Sequence, residues 1–240
     1  MIYFSEDKSG RLTTIDISNG FKKSFAVNGP AININTSFLL PSNSILARRT
    51  LINEKKLSRE LIKLNTQNSE VEKSFLLKKQ VDGFFCTDGT LKFDAVSAKL
   101  FYVYAYRGQF ICLDTNLNML YQAKTIDTIT TAKIKINEDK QKNTTSLSQA
   151  KPAEIVNRNF LIDKDEIWVL SALKADNEDL FDFKNNSVMD VYHAKNGKYI
   201  HSFYIPKYKG IKLRGFYVKD GFLFCIFDHY LVKYRVEGSY

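Results

Sequence analysis

The chain has 240 residues, of which 44% are hydrophobic, 13% aromatic and 25% charged, and 35 lysines and arginines against 26 aspartates and glutamates give a net charge of +9. This composition excludes wholesale disorder, and the length suits one all-β domain of about 200–250 residues. No apolar run approaches the roughly 18–20 residues of a membrane span, and Met1–Asn19 lacks the layout of a secretion signal.

Five hairpin-like segments recur along the chain. Each combines a short strand, a corner with Asn, Asp or Gly, and a second strand, and they are Leu12–Phe25, Leu61–Phe75, Phe110–Thr125, Val188–Phe203 and the shorter Leu231–Val236. Asn and Gly tolerate the positive φ of tight turns, so these corners are typical of hairpins. The segments repeat every 45–50 residues or so, with one longer interval before the fourth.

Upstream of most hairpins the sequence predicts further strands. They are Ile2–Phe4, Ile32–Leu40, Ser44–Leu51, Phe160–Ile162, Glu166–Leu170, Gly215–Lys219 and Phe222–Phe227. Leu51–Leu64 also has some helical spacing, but a strand is favoured because the polar run 53–56 has the composition of a turn.

The stretch Phe84–Tyr121 shows one complete unit. Its predicted strands are Phe84–Thr87, Leu91–Asp94, Lys99–Tyr106, Gln109–Leu113 and the segment that begins at Met119. Strand side chains alternate, so Phe101, Val103 and Ala105 lie on one face of the central strand and Tyr102, Tyr104 and Tyr106 on the other. Neither face is polar, which predicts a sheet covered by another sheet on each side.

Two insertions account for the longer interval. Asn137–Gln149 is polar and without periodicity, which predicts a mobile surface loop. Ala172–Asn186 lies between the second and third strands of the fourth unit, and its Leu180, Phe181 and Phe183 predict a packed segment with a helical turn.

A period of 45–50 residues with about four short strands per repeat predicts an all-β fold, a β-propeller of four-stranded antiparallel blades. The chain supplies about five blades in one domain, 1–240. The first unit starts without an innermost strand, and the last stops after Val236 without an outermost one. Two interpretations stay open: a ring that closes irregularly on five units, or a longer propeller whose N-terminal portion of about 100 residues lies outside this sequence.

Three runs carry a resemblance to a known group: Tyr102–Ile136, Asn185–Val218 and Asp228–Val236. The sequence pattern of these runs resembles that of bacterial six-bladed, TolB-like β-propeller proteins. The resemblance implies a six-bladed ring and an exported, periplasmic protein, and it implies no particular activity.

Candidate ligand-binding residues are aromatic and basic. Tyr106 and Arg107 lie at a strand end, where propeller loops gather over the central channel, and Arg107 there suits a carboxylate. The run AKIKI predicts an innermost strand that turns Lys133 and Lys135 to the channel, and Arg158 and Arg214 stand just ahead of apolar strands. Tyr102 and Tyr104 fit the core between blades better than a stacking platform for a sugar or base.

The sequence predicts no metal and no cofactor. Cys86, Cys112 and Cys225 lack metal or redox spacing and fit buried free thiols within strands, and His193 and His201 lack a third ligand. Catalytic patterns such as GxSxG and HExxH do not occur.

The first functional hypothesis is therefore a non-enzymatic scaffold that binds a partner protein or a small anionic ligand on its loop face, with Ala172–Asn186 as a contact element. The alternative is a hydrolase or lyase that acts on an anionic saccharide-like substrate in the channel. Nucleic acid is not the expected partner, because the positive charge is scattered in doublets instead of gathered in one segment.

Overall fold

The computed structural model describes residues 2–6, 11–15, 18–26, 33–40, 42, 44–53, 56–141 and 144–236. Within them the chain forms twenty strands and one short helix. The strands are β1 (Ile2–Glu6), β2 (Arg11–Ile15), β3 (Lys22–Ala26), β4 (Asn33–Leu39), β5 (Ser44–Asn53), β6 (Lys56–Asn65), β7 (Val71–Leu76), β8 (Gly89–Asp94), β9 (Lys99–Tyr104), β10 (Phe110–Asp114), β11 (Met119–Ala123), β12 (Ile136–Gln141), β13 (Thr144–Gln149), β14 (Asn157–Asp163), β15 (Glu166–Ser171), β16 (Asn186–His193), β17 (Tyr199–Pro206), β18 (Gly215–Lys219), β19 (Phe222–Phe227) and β20 (Tyr230–Arg235); the helix is α1 (Leu180–Asn185).

Neighbouring strands along the chain pair antiparallel in five successive sheets. The second, third and fourth sheets have four strands, β4–β7, β8–β11 and β14–β17, and the first and last have three among the described residues, β1–β3 and β18–β20. The fold is therefore all-β and built from the predicted antiparallel blades, here called blades 1 to 5. No ladder joins blade 1 to blade 5 within the described ranges.

The prediction of a sheet covered on both faces is confirmed for blade 3. Tyr102 and Tyr104 belong to a buried cluster shared with blade 2, which includes Leu46 and Leu61. Phe101, on the opposite face, belongs to a second cluster shared with blade 4, with Phe110, Phe160, Val169 and Tyr192. A third cluster joins blades 4 and 5 through Trp168, Met189, Leu223 and Cys225. The core of the molecule is thus a series of apolar layers between blades.

Some sequence predictions fail, and the first concerns Phe84–Thr87, which forms a bend and a turn instead of a strand. The carboxylate of Asp82 accepts the amides of Phe84 at 2.7 Å and Cys86 at 3.1 Å, so these amides are used in a local turn and are not free for a ladder. As a result Cys86 lies outside any strand, whereas Cys112 and Cys225 lie in strands as predicted; all three are buried and free.

The second failed prediction is the mobile loop at Asn137–Gln149. This stretch forms the hairpin β12–β13, in register from Ile136 opposite Gln149 to Gln141 opposite Thr144. The hairpin lies outside the blades and is held together by backbone pairing. Its sequence therefore lacks the alternating apolar side chains of a blade strand. The helical turn predicted in the other insertion is confirmed as α1, but the predicted packing of its apolar side chains is wrong for Leu180 and Phe181, which are 53% and 73% exposed. The strand reading of Leu51–Leu64 is confirmed by the β5–β6 hairpin.

Polar contacts also join adjacent blades. The hydroxyl of Tyr121 in blade 3 donates to the carbonyl of Ala194 in blade 4 at 2.8 Å, and the backbone here comes very close, because Gly197 adjoins Ala123 and Tyr121. Gly197 has a φ of +72°, which favours glycine.

Gly197→Ala should therefore destabilise the protein by two effects. An alanine at positive φ costs roughly 1–2 kcal/mol, and its Cβ would overlap Ala123, which adds roughly 1–3 kcal/mol. Gly221→Ala is a matched control, since Gly221 has a φ of +76° and no atom lies within 4 Å of the place that an added Cβ would take. Urea unfolding gives the loss of unfolding free energy in each variant, and the difference between the two losses measures the contact between blades. Equal losses in the two variants would contradict the overlap with Ala123.

Candidate functional site

The loops that carry candidate residues lie at one end of the blades. In an antiparallel meander, the loop between the second and third strands and the segment leading to the next blade lie at the same end. In blades 3 and 4 these are 105–109, 124–135, 172–185 and 207–214. We call this end the connection face.

A small cavity on the connection face is lined by two cationic side chains. It has a volume of about 140 Å³ and lies between the start of β14, the start of β16, α1 and the segment before β18. We call it the cationic cavity and define it by Arg158, Ser171, Phe183, Ser187 and Lys212.

Lys212 is held in place by the inserted helix. Its Nζ donates to the carbonyl of Phe183 at 2.7 Å and lies 4.4 Å from the centre of the Phe183 ring. Burial lowers the pKa of Lys212, and the positive charges of Lys207 and Arg158 lower it further, against a smaller opposite effect of Glu178. Among the described residues neither Lys212 nor Arg158 forms an ion pair. The cavity therefore has two cationic side chains without a paired carboxylate in the part of the chain that the structure describes.

A second site lies in the groove between blades 3 and 4. Two adjoining cavities of about 300 and 320 Å³ share Glu178 and Asp190 in their walls. The walls also include Asp127 from the segment after blade 3 and Tyr199 and Tyr204 from β17. We call this groove the acidic crevice.

Asp190 is the most buried carboxyl group of the acidic crevice. Only 1% of the residue is exposed, and its Oδ1 accepts a hydrogen bond from the Ser202 hydroxyl at 2.5 Å. Burial raises the pKa of Asp190 to about 6; the Ser202 bond acts against this, and the negative charges of Asp127 and Glu178 add to it. Burial also raises the pKa of Asp127, whose carboxylate accepts from the Thr125 hydroxyl at 3.2 Å. The crevice thus places two carboxyl groups with raised pKa values within electrostatic reach of each other.

The residues that the sequence assigned to the channel have several different surroundings in the structure. Arg107 is 1% exposed, stacks 3.6 Å from the centre of the Tyr104 ring and donates from Nη2 to the Lys78 carbonyl at 3.0 Å. Its Nε and Nη1 have no hydrogen-bond partner within the part of the chain that the structure describes. Tyr106 is half-buried, and its hydroxyl accepts from Gln149 at 3.4 Å.

The strand predicted at Lys133 and Lys135 is also absent. Residues 132–135 join none of the described ladders, and the amide of Ala132 donates instead to the Gln80 side chain at 2.8 Å. The predicted alternation remains, since both lysines are exposed while Ala132 and Ile134 are buried. Lys133 pairs with Glu154 at 3.3 Å.

Of the predicted basic residues, Arg158 lines the cationic cavity, and Arg214 is exposed and pairs with Asp228 at 3.4 Å. Sequence reasoning missed Lys212 and Asp190. Lys212 stands just ahead of an apolar strand, the signal that singled out Arg214. Asp190 is the one carboxylate within the apolar run VMDVY, and a lone acid in a buried strand is a signal in itself.

No group of three or more histidine, cysteine, aspartate or glutamate side chains in the described part of the chain can hold a metal ion. In the β16–β17 ladder, His201 lies opposite Val191, so it does not face His193 across the hairpin.

Among the helices that the structure describes, none combines the length and the apolar character needed to cross a membrane.

No family model and no curated protein matches the sequence. Similar solved structures are the hydrazine synthase of Kuenenia stuttgartiensis (10% identity, TM-score 0.54, 93% of this chain and 51% of that chain), a streptogramin B lyase (11%, 0.53, 99% and 65%) and a member of the DUF4221 family from Bacteroides vulgatus (11%, 0.52, 93% and 68%). The chain thus spans about half to two thirds of their length. At this identity the likeness concerns the fold alone, and it supports a β-propeller without singling out the six-bladed, TolB-like type.

The raised pKa of Asp190 has a consequence for stability. An unfolded aspartate titrates near 3.9, so between about pH 4 and 6 the folded chain binds more protons and its stability falls as the pH rises. Above this window the ionised group costs about 2–3 kcal/mol. Asp190→Asn, which keeps an acceptor for Ser202, should raise the melting temperature at pH 7.5 and leave it nearly unchanged at pH 4. An equal shift at both pH values would contradict the burial of this charge.

Proposed function

We propose that the chain is a β-propeller binding scaffold that holds a small anionic ligand in the cationic cavity of its connection face. The observation that carries the proposal is the pair Arg158 and Lys212, two positive charges that face one cavity with no carboxylate partner among the described residues. Two like charges destabilise each other at short range, and an anion between them removes that repulsion.

The size and chemistry of the cavity limit the ligand. A volume of about 140 Å³ has room for a small group such as a phosphate or a carboxylate. The Arg158 guanidinium offers several N–H donors in a plane, Lys212 supplies a point charge, and Ser171 adds a hydroxyl group. We therefore infer a ligand with one exposed phosphate or carboxylate group.

The insertion 172–186 has a defined part in this proposal. It supplies the carbonyl and the ring of Phe183, which hold Lys212, and so it shapes the cavity from one side. Rigid blades that support variable loops are a common basis for specific binding. The finer assignment to six-bladed, TolB-like propellers remains a part of this proposal, and its support is the sequence texture of Tyr102–Ile136 and Asn185–Val218.

Lys212→Met and Arg158→Met should each weaken the binding of inorganic phosphate by about tenfold or more, because a charge-assisted hydrogen bond contributes roughly 1.5–3 kcal/mol. The methionine at 212 keeps an apolar chain against Phe183. Isothermal titration calorimetry with phosphate and with acetate measures this, and Lys195→Met, at an exposed hairpin corner, is the control. Binding should also weaken at alkaline pH as Lys212 loses its proton. Equal binding by all four chains would exclude the cavity as the site.

A second candidate function is favoured by the acidic crevice. A carboxyl group with a pKa of about 6 beside a second carboxyl group is the pattern of a general acid and its partner. This arrangement supports a hydrolase or lyase whose site lies between blades 3 and 4 instead of in a central channel. The negative charges of Asp127, Glu178 and Asp190 disfavour an anionic substrate, so the substrate class becomes a neutral saccharide that stacks on Tyr199 or Tyr204.

This second candidate predicts hydrolysis of 4-nitrophenyl glycosides with neutral sugars. Asp190→Asn and Asp127→Asn should each lower the rate by about 100-fold or more, since a positioned acid or base contributes 10²–10⁴-fold. Asp220→Asn is the control, because Asp220 is exposed in a turn with a φ of +52°, which asparagine also adopts. A panel of glycosides with no measurable release, or equal rates in the three variants, would remove the candidate.

A further inference from the structure

The outer edge of β20 differs from the corresponding edges in blades 2 to 4. There the third strand pairs on both sides, as β6 does with β5 and β7. β20 pairs with β19 on one side, and on its other side no strand among the described residues pairs with it. With respect to the described residues, this edge therefore offers a row of backbone donors and acceptors.

The register identifies which residues carry the free groups. The amide of Val236 donates to the carbonyl of Gly221 at 2.9 Å, and hydrogen-bonded positions alternate along an antiparallel ladder. Tyr234 and every second residue before it thus face β19. The residues whose N–H and C=O groups point away from β19 are Leu231, Lys233 and Arg235.

An aromatic groove runs beside this edge. Its volume is about 350 Å³, and it lies between blades 4 and 5. Trp168, His201 and Phe203 line it from blade 4, and Leu223 and Tyr234 from blade 5. The charged residues Glu166 and Arg235 are also in its walls. The Trp168 and Phe203 rings meet edge to face at 5.4 Å. A strand added to β20 points every second side chain to this side, where apolar groups would fill the groove.

The charges on the edge select the added strand. Lys233 and Arg235 are exposed, and neither forms an ion pair among the described residues. The Lys233 ammonium lies 3.6 Å from the centre of the Phe222 ring, on the face of the sheet away from the groove. Like charges opposite each other destabilise a ladder, so these cations disfavour a second copy of β20 and favour a strand with acidic residues on that face.

We propose that the outer edge of β20 binds an extended segment of a partner polypeptide that alternates apolar and acidic residues. The segment adds an antiparallel strand, its amides pair with Leu231, Lys233 and Arg235, its apolar side chains fill the aromatic groove, and its acidic side chains face the two cations. This docking site lies away from the cationic cavity and does not depend on the anion-binding function.

The first test is amide exchange by NMR on the whole chain. The probe is a capped nine-residue peptide of alternating valine and glutamate, and the control peptide has lysine in place of glutamate. In the free chain the amides of Leu231, Lys233 and Arg235 should exchange quickly and those of Val232 and Tyr234 slowly. The glutamate peptide should slow the first three at least tenfold, and the lysine peptide should leave them unchanged.

The second test uses charge reversal and fluorescence anisotropy of the labelled peptides. Lys233→Glu should lower the affinity for the glutamate peptide by about tenfold, because it replaces a favourable cross-strand pair with an unfavourable one. The same variant should bind the lysine peptide more tightly than the unmodified chain does. Lys198→Glu, on an exposed hairpin corner, is the matched control and should change neither affinity, apart from the small effect of net charge.

A backbone variant separates strand addition from simple charge attraction. Lys233→Pro removes an outward N–H without removing a bond to β19, whereas Lys233→Ala removes the charge and keeps the N–H. Strand addition predicts that the proline variant binds the peptide more weakly than the alanine variant at equal melting temperature. Equal binding by the two variants, unchanged exchange of the three amides, or self-association through this edge at micromolar concentration would each overturn the proposal.

Discussion

The structure depends on one constraint, which is that the middle strands of blades 3 and 4 carry apolar side chains on both faces. A sheet of this kind is stable only when another sheet covers each side, because its exposed face would leave large aromatic side chains in water. In blade 3 the tyrosines face blade 2 and the phenylalanines face blade 4. Blades 3 and 4 are thus each packed between two neighbouring blades.

The same constraint explains which features were readable from the sequence. The run LFYVYAY predicts two covered faces because its alternation is complete, and glycines mark some of the hairpin corners, as at Gly197 and Gly221, where φ is positive. A turn in which a side chain accepts hydrogen bonds from backbone amides has no comparable sequence pattern. The carboxylate of Asp82 bends Phe84–Thr87 out of strand geometry, and this depends on an atom-level contact that a run of apolar letters does not contain.

The candidate sites were predictable only in part, for a related reason. Arg158 was named from its position ahead of an apolar strand, and the structure places it at a cavity. Its partner Lys212 comes from the segment between blades 4 and 5 and is held by the inserted helix, so their proximity follows from tertiary packing. Arg107 was expected over a channel, but its burial against Tyr104 follows from the two connections that fold over its loop. Local spacing can identify a charged residue at a strand end, whereas its neighbours from other blades are determined by the packing of the whole molecule.

The three cysteines have a consequence for following how the molecule opens. Cys112 lies in the layer between blades 3 and 4, Cys225 in the layer between blades 4 and 5, and Cys86 in a smaller cluster near Ala132 and Ile134. Burial raises the pKa of Cys112 to about 11 and that of Cys225 to about 12, and thiol reagents react with the thiolate form. A reagent therefore modifies each sulfur only when the surrounding layer separates. The rates at which the three native cysteines are modified therefore report the opening of three interior regions, without an engineered label. Equal rates would indicate that the regions open together, and different rates that they open separately.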